Sequence, residues 1–289
     1  MFKSGYVAII GRTNAGKSSL INNIIGEKVS IVTPKTQTTR NNILGIYSTS
    51  DCQIVFIDTP GIHKSKNFLD KIMMKNVRSA VASVSIIVYV VDVSKKITNQ
   101  ELENIAKYAE ENILILCLSK TDLITKPKLA EMLMKFSAYP KIKAIIPFSN
   151  KSKSNIQEII NELKKYLDEY EEKEVLFDED LYTNSSVAFM SAEIIREKAL
   201  FALNDELPHG IKIEITKFDE QDNIAFIDAD LICEKDIHKT IILGKNGNKI
   251  KEIGTKARID IENLLQKKVM LKIFVKVDKN WRQNKNSMV

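Results

Sequence analysis

Gly11, Arg12, Thr13, Asn14, Ala15, Gly16, Lys17 and Ser18 set two glycines around a short polar loop and follow it at once with an ammonium and a hydroxyl. An apolar run, Tyr6–Ile10, precedes them, and an amphipathic stretch from Ser19 to Ile25 follows. A strand feeding a glycine turn that opens a helix aims a row of backbone N–H groups at one point, where the helix dipole also favours an anion. Phosphates suit that geometry. Gly11 and Gly16 let the backbone curl without a Cβ clash, Lys17 reaches β- and γ-phosphate oxygens, and the Ser18 hydroxyl ligates Mg²⁺ with Ser19 beside it.

Three further clusters stand at the ends of apolar runs. After Gln53–Ile57 comes Asp58-Thr59-Pro60-Gly61, a carboxylate placed to hold Mg²⁺ through water and a Gly61 amide placed to meet a γ-phosphate. Ser119, Lys120 and Asp122 follow Ile113–Ser119, and Ser149 and Asn150 follow Ala144–Phe148. A carboxylate such as Asp122 accepts from both N1–H and the exocyclic amine of guanine, donors that adenine does not offer, and a buried acceptor left unpaired discriminates strongly. The Lys120 stem is expected along the purine face and the Ser149–Asn150 backbone near the guanine oxygen. Between the first two clusters, residues 30–40 form a polar, aperiodic segment. A threonine there could close the Mg²⁺ shell in the triphosphate state. Thr39 is the first choice and Thr38 the reserve.

These side chains need a scaffold. Up to about residue 150, β-branched runs (Tyr6–Ile10, Gln53–Ile57, Ser85–Val91, Ile113–Ser119, Ala144–Phe148) alternate with amphipathic helical stretches. That predicts an α/β fold, a mostly parallel sheet with helices on both faces, and ligands at the carboxyl ends of the strands. Residues 154–170 have helical spacing and close a first domain spanning 1–172. An acidic linker, 173–186, is expected to be solvated. Length (289 residues), 44% hydrophobic and 28% charged content describe an ordinary soluble protein with room for two cores. Cys52, Cys117 and Cys233 each lie in an apolar run, so they read as buried thiols of a reducing compartment, not a disulfide framework or zinc site. No apolar run is long enough to span a bilayer, and a cytoplasmic protein is expected.

From 187 to 289 the pattern changes to helix (Ser191–Leu207), strand (Lys212–Phe218), strand (Ile224–Cys233), helix (Asp236–Leu243), helix (Asn248–Gln266) and strand (Val269–Val277), a smaller α+β domain. Gly244, Lys245, Asn246 and Gly247 fall between two helices, where the glycines would let backbone approach a nucleic-acid strand. Between Lys235 and Lys285 there are 14 Lys/Arg against 5 Asp/Glu, an excess larger than the +6 of the whole chain. Lys245, Lys249 and Lys251 cluster at the loop, which points to phosphate contacts and salt-dependent binding. Ile242 and Ile250, with Ile253, either floor a nucleotide groove or belong to the core.

The nucleotide motifs together resemble the translation-factor-class G domains of the Era and MnmE type. That resemblance implies GTP binding and hydrolysis with Mg²⁺ held by Ser18, Thr39 and Asp58, and switch segments near 30–42 and 61–76. It also implies a transition state supported by Lys17, Asn14, Thr39 and Gly61 without a side-chain general base, and K⁺ beside Asn14. The chain departs from the pattern at Thr13 (usually Pro), Ser119 (usually Asn) and Asn150 (usually Ala). Loss of the amide at 119 is expected to loosen the base-binding loop. Ile62 cannot orient a water as the glutamine of Ras-like enzymes does, so slow intrinsic turnover is expected; His63 reads as a mobile polar switch residue. The element order of the second half resembles a type II KH domain, and 189–198, 206–209, 242–254 and 275–281 resemble the Era family over its whole length. What this implies is binding to the 3′ end of small-subunit ribosomal RNA during small ribosomal subunit assembly, with peripheral inner-membrane association and no required oligomer. Two other readings stay open: a constitutive RNA-binding module with a structural, poorly cycling G domain, and an ATP-dependent P-loop enzyme.

Overall fold

The computed structural model describes residues 1–63, 65, 68–203 and 207–282. Parts of the expected 61–76 segment, the end of the expected helix beyond 203, part of the 206–209 match and the tail from 283 lie outside the described residues. The chain divides into two compact units, Met1–Ser30 with Thr39–Asn184, and Ile31–Thr38 with Ser185–Val289.

In the first unit, β1 (Phe2–Gly11), α1 (Lys17–Ile25), β2 (Ile43–Ser48), β3 (Cys52–Asp58), α2 (Phe68–Ala82), β4 (Ile86–Asp92), α3 (Asn99–Glu111), β5 (Ile113–Ser119), α4 (Lys126–Ser137), β6 (Ile142–Pro147), α5 (Ile156–Leu163) and β7 (Asp168–Tyr170) follow in order. The sheet runs β2-β3-β1-β4-β5-β6, with β7 on the first residues of β1. All pairings from β3 to β6 are parallel; β2 is antiparallel to β3 and β7 to β1. Strand alternation sorts the core. Val7 and Ile9 join one buried cluster with Val88, Val90, Ile115 and Cys117. Ala8 and Ile10 join another, on the opposite face, with Ile87, Tyr89, Leu114 and Leu116. A sheet buried on both faces needs the near-continuous apolar strands that the sequence shows.

Two strands were not anticipated. β2 holds Gly45, whose missing side chain is a packing requirement: a Cβ there would lie 2.4 Å from Ile25 Cδ1 and 2.8 Å from Ile21 Cγ2 of α1. β7 is the last three residues of the helix expected over 154–170, and α5 stops at Leu163. The acidic linker is solvated as expected, with residues 173–176 and 178–182 exposed, but its backbone is also bonded to the first unit's sheet. The buried Gln53 side chain accepts from Leu176 N (2.7 Å) and Phe177 N (2.9 Å) and donates to Phe177 O (2.8 Å). Ile46 N donates to Tyr182 O at 3.0 Å, and Thr183 Oγ1 to Leu44 O at 2.7 Å. The linker thus satisfies backbone groups along the sheet edge that would otherwise be open.

In the second unit, α6 (Val187–Ala202), β8 (Ile211–Glu220), β9 (Ile224–Cys233), α7 (Asp236–Leu243), α8 (Asn248–Leu265) and β10 (Lys268–Val277) give the expected order. α6 begins four residues before the expected start because Ser186 caps it, its hydroxyl accepting from Phe189 N. The sheet is β10-β9-β8, parallel between β9 and β10 and antiparallel between β8 and β9. Ile194, Ile195, Ala199, Ile227, Leu231, Ile253, Ala257 and Ile261 fill its core. All three cysteines are buried and free.

Candidate nucleotide and nucleic-acid sites

The phosphate-type loop is fixed from every side. Gly11 has φ +145°, and a Cβ there would meet Val90 O at 2.3 Å, so only glycine lets β1 turn so close to β4. Asn14 takes a left-handed backbone (φ 61°), and Gly16 (φ 98°) is the N-cap of α1. Lys17 is buried, and its Nζ donates to Gly11 O (3.2 Å) and Arg12 O (3.1 Å). Burial lowers its pKa to about 8, against the opposing pull of the Asp58 carboxylate. The Arg12 guanidinium faces Glu101 on α3 (3.5 Å), so Arg12 offers the loop its backbone.

Ser18, Thr39 and Asp58 converge from α1, the segment before β2 and the end of β3. Ser18 Oγ donates to Asp58 Oδ2 at 2.6 Å and shares a 3.0 Å hydrogen bond with Thr39 Oγ1, which lies 3.5 Å from Asp58 Oδ2. Asp58 is fully buried, burial raises its pKa, and its Oδ1 has no hydrogen-bond partner among the described residues. A buried carboxylate with an unpaired oxygen between two hydroxyls is a donor set for a hard cation such as Mg²⁺. The reserve threonine is engaged elsewhere: Thr38 Oγ1 donates to Lys35 O and pairs with Thr33 Oγ1, both at 2.8 Å.

Asp58 leads into a loop stitched to the phosphate loop. Thr59 Oγ1 donates to Ile9 O (2.8 Å), and beyond Pro60 and Gly61, Ile62 N donates to Gly11 O (2.9 Å). A Cβ on Gly61 would stand 2.5 Å from Thr13 Cα and 2.6 Å from Thr13 N, so the two loops touch backbone to backbone. His63, expected to be mobile, is fastened: Nδ1 lies 2.7 Å from Gly61 O and Nε2 3.1 Å from the buried Asp70 of α2.

The cluster expected to read the base is assembled from the ends of β5 and β6. Lys120 takes φ 62°, and its ammonium meets Asp92 Oδ2 at 2.6 Å. Asp92 was not anticipated; its signal is a carboxylate closing an apolar strand. Ser149 Oγ donates to Asp122 Oδ1 at 2.6 Å. Ser119 is fully buried and its Oγ lies 2.7 Å from Ala15 O and 3.1 Å from Val91 O, while Asn150 Nδ2 donates to Gly16 O at 3.0 Å.

In the second unit, Gly244 (φ 71°), Lys245, Asn246 (φ 53°) and Gly247 (φ 76°) make the sharp turn from α7 into α8. Lys245 and Asn246 are exposed, and Lys249 packs its stem against Gly244, where a Cβ would lie 2.7 Å from Lys249 Cβ. A groove of about 360 Å³ runs along α8 and β10, lined by Ile250, Lys251, Gly254, Thr255, Arg258, Leu271 and Ile273. Ile242, a candidate groove residue, is instead wholly buried in the core with Ile253, because α7 turns that face inward. Arg258 and Thr255 were missed; positions 251, 254, 255 and 258 share one face of a helix, which is the signal that could have found them.

The segment 31–38 belongs to the same unit and lies on α6. Val32 N donates to Glu197 Oε1 (3.0 Å), and Arg196 donates to Thr38 O (2.5 Å) while also pairing with Glu193. Arg196 and Glu197 are both buried, so these contacts are sheltered from water.

Residues 6–120 match the family described as 50S ribosome-binding GTPase, and residues 206–282 match the KH domain family. The chain is 44% identical to GTPase Era of Clostridium tetani, covering 98% of this chain and 96% of that protein. It is 42% identical to GTPase Era of Clostridioides difficile, covering 99% and 97%. A variant of Aquifex aeolicus Era bound to GDP and AlF₄⁻ superposes with a TM-score of 0.93 at 33% identity, covering 99% of this chain and 97% of that one. Era in complex with MgGDPNP and nucleotides 1506–1542 of 16S ribosomal RNA superposes with the same TM-score, identity and coverage.

Proposed function

The chain belongs to the Era family of GTPases, and we propose that it couples GTP hydrolysis to binding of the 3′ end of small-subunit ribosomal RNA during assembly of the small ribosomal subunit. One observation carries the coupling. Thr39 stands beside Asp58 and Ser18 in the nucleotide unit, and the residue before it, Thr38, is held through its carbonyl by Arg196 of α6, the first helix of the RNA-binding unit. A rearrangement of residues 31–39 on nucleotide exchange therefore reaches α6 through one covalent bond of the chain.

In the triphosphate state, Ser18, Thr39 and Asp58 would hold Mg²⁺, whose charge offsets that of the β- and γ-phosphates. Lys17 leaves the carbonyls of Gly11 and Arg12 for the phosphates, and the loop amides from Thr13 to Ser19 orient them. The Gly61 amide meets the γ-phosphate, and Asp122 reads guanine while Lys120, anchored by Asp92, covers its face. Among the described residues no side-chain base lies at Ile62, which supports slow turnover, with K⁺ beside Asn14 supplying positive charge. Lys251 and Arg258 line a groove with an apolar floor, suited to unpaired bases and their phosphates. Among the described residues no helix is long and apolar enough to cross a membrane; a cytoplasmic location with a peripheral membrane fraction is part of the proposal.

The test is Thr39→Ala. The variant should keep GDP affinity, lose affinity for a Mg²⁺–GTP analogue, and bind an RNA of the 16S 3′-end sequence equally in both states. Wild-type RNA discrimination in that variant would remove Thr39 from the switch.

A further inference from the structure

Asn150 carries two loops at once. Its backbone follows Ser149, whose hydroxyl donates to the base-reading Asp122 at 2.6 Å. Its side-chain Nδ2 donates to Gly16 O at 3.0 Å, the carbonyl at the start of α1 that also accepts from Leu20 N at 2.9 Å. Asn23, on α1, returns the contact: its Nδ2 donates to Asn150 Oδ1 at 3.0 Å and to Asn150 O at 3.2 Å. The donor of the Asn150 amide is thus set by a carbonyl and its acceptor by the amide N–H of Asn23, which fixes one orientation of the side chain. The phosphate loop is shaped around it, since a Cβ on Gly16 would lie 2.9 Å from Asn150 Nδ2. The neighbouring carbonyl, Ala15 O, accepts from Ser119 Oγ at 2.7 Å. Two consecutive carbonyls of the phosphate loop are therefore held by side chains of the two base-recognition loops.

We propose that Asn150, braced by Asn23, is a positioning residue that locks the base-recognition loop to the phosphate loop and so sets how long guanine nucleotide stays bound. The inference rests on the guanine reading of Asp122 and the phosphate reading of residues 11–18. The Ser119 hydroxyl has one proton, given to Ala15 O, and Asn150 supplies the donor for Gly16 O. With the tether in place, the amides facing the phosphates and the backbone facing the base are ordered relative to each other before nucleotide arrives, so binding does not have to order them. Without it, Gly16 O keeps its bond to Leu20 N, so α1 stays intact while the two loops come apart.

The experiment measures GDP dissociation by stopped-flow with a fluorescent GDP, together with melting of the nucleotide-free protein, for wild type and four variants of the full chain. The variants are Asn150→Ala, Asn23→Ala, both together, and Asn150→Ala with Ser119→Asn, which moves the amide from one base-recognition loop to the other. Loss of one tethering hydrogen bond predicts dissociation about tenfold faster for Asn150→Ala. A smaller increase is expected for Asn23→Ala, and a less than additive one when it is added to Asn150→Ala, because Asn23 braces the Asn150 side chain while its bond to the carbonyl of residue 150 survives that substitution. Restoring an amide at 119 should bring dissociation back toward wild type, while the melting of the nucleotide-free protein falls by no more than the loss of one hydrogen bond requires. Unchanged dissociation in Asn150→Ala, additive effects of the two asparagines, or faster dissociation that only tracks a lower melting temperature and is not rescued would each overturn the proposal. A wild-type protein that fails to bind the fluorescent GDP would instead overturn the nucleotide reading beneath it.

Discussion

Gly61→Ala perturbs the approach of the loops after β1 and β3, which are proposed to hold the phosphates, with the least change in chemistry. The added Cβ would stand 2.5 Å from Thr13 Cα and 2.6 Å from Thr13 N, against an ordinary separation of 3.4 Å or more, so the loops must part by about 0.9 Å (3.4 − 2.5). Neither obstacle is the end of a flexible side chain; both belong to backbone that Gly11 and Asn14 already hold in restricted conformations. The shift stretches the 2.9 Å bond from Ile62 N to Gly11 O and moves the residue 61 amide by a similar amount. A hydrogen bond to a charged phosphate oxygen contributes about 1.5–3 kcal/mol, so its loss predicts a GTP-analogue affinity lower by roughly 10- to 150-fold. GDP has no γ-phosphate and should keep its affinity within about twofold. Competitive displacement of a fluorescent nucleotide by GDP and by a non-hydrolysable GTP analogue reads both numbers in one assay. Equal losses for the two nucleotides would show that residue 61 supports the whole loop and does not sense the γ-phosphate; no loss for either would refute the close approach of Gly61 to Thr13.

Other perturbations follow from the same geometry. Gly45→Ala pushes a Cβ to 2.4 Å from Ile25 Cδ1 and 2.8 Å from Ile21 Cγ2, ends of movable side chains, so urea unfolding should show a destabilisation of about 1–3 kcal/mol. Replacing Lys245, Lys249 and Lys251 with alanine should weaken RNA binding at every sequence tested and flatten the slope of log affinity against log salt by about 0.7 for each phosphate no longer neutralised. Because burial brings Lys17 to about pKa 8 in the free protein, GDP affinity should fall as pH rises from 7 to 9, with proton uptake on binding visible in calorimetry. The stability of the nucleotide-free protein carries the opposite sign: the unfolded lysine holds its proton up to about pH 10.5, so unfolding free energy should rise between pH 8 and 10.5.

How far the sequence could be read depended on whether a residue's role is local. Gly11–Ser18 was legible because strand, turn and helix are contiguous and the glycine spacing states its own backbone demand. β5, β9 and α7 were expected with the bounds that they have, since apolar runs and a flanking Gly244 mark both ends. Gly45 hid β2: the residue that most weakens a strand signal is there because α1 packs against it. The acidic run 173–186 reads as solvated by composition, and only the buried Gln53, over a hundred residues away in sequence, shows what it is bonded to. Asp92, Asp70, Asn23 and Arg196 were missed for the same reason. Each acts by pairing with a residue distant in the chain, and single-sequence periodicity carries no information about such pairs. Ser119 and Asn150 looked like two separate departures; in the fold they reach adjacent carbonyls.

The most direct test of the account is the affinity of the wild-type protein for a single-stranded RNA of the 16S 3′-end sequence, measured at one fixed salt concentration with GDP and with a non-hydrolysable GTP analogue bound. Markedly tighter binding in the triphosphate state is predicted, because residues 31–39 join the nucleotide site to α6. Equal affinity in the two states would contradict the coupling and leave a constitutive RNA-binding protein with a GTPase domain attached.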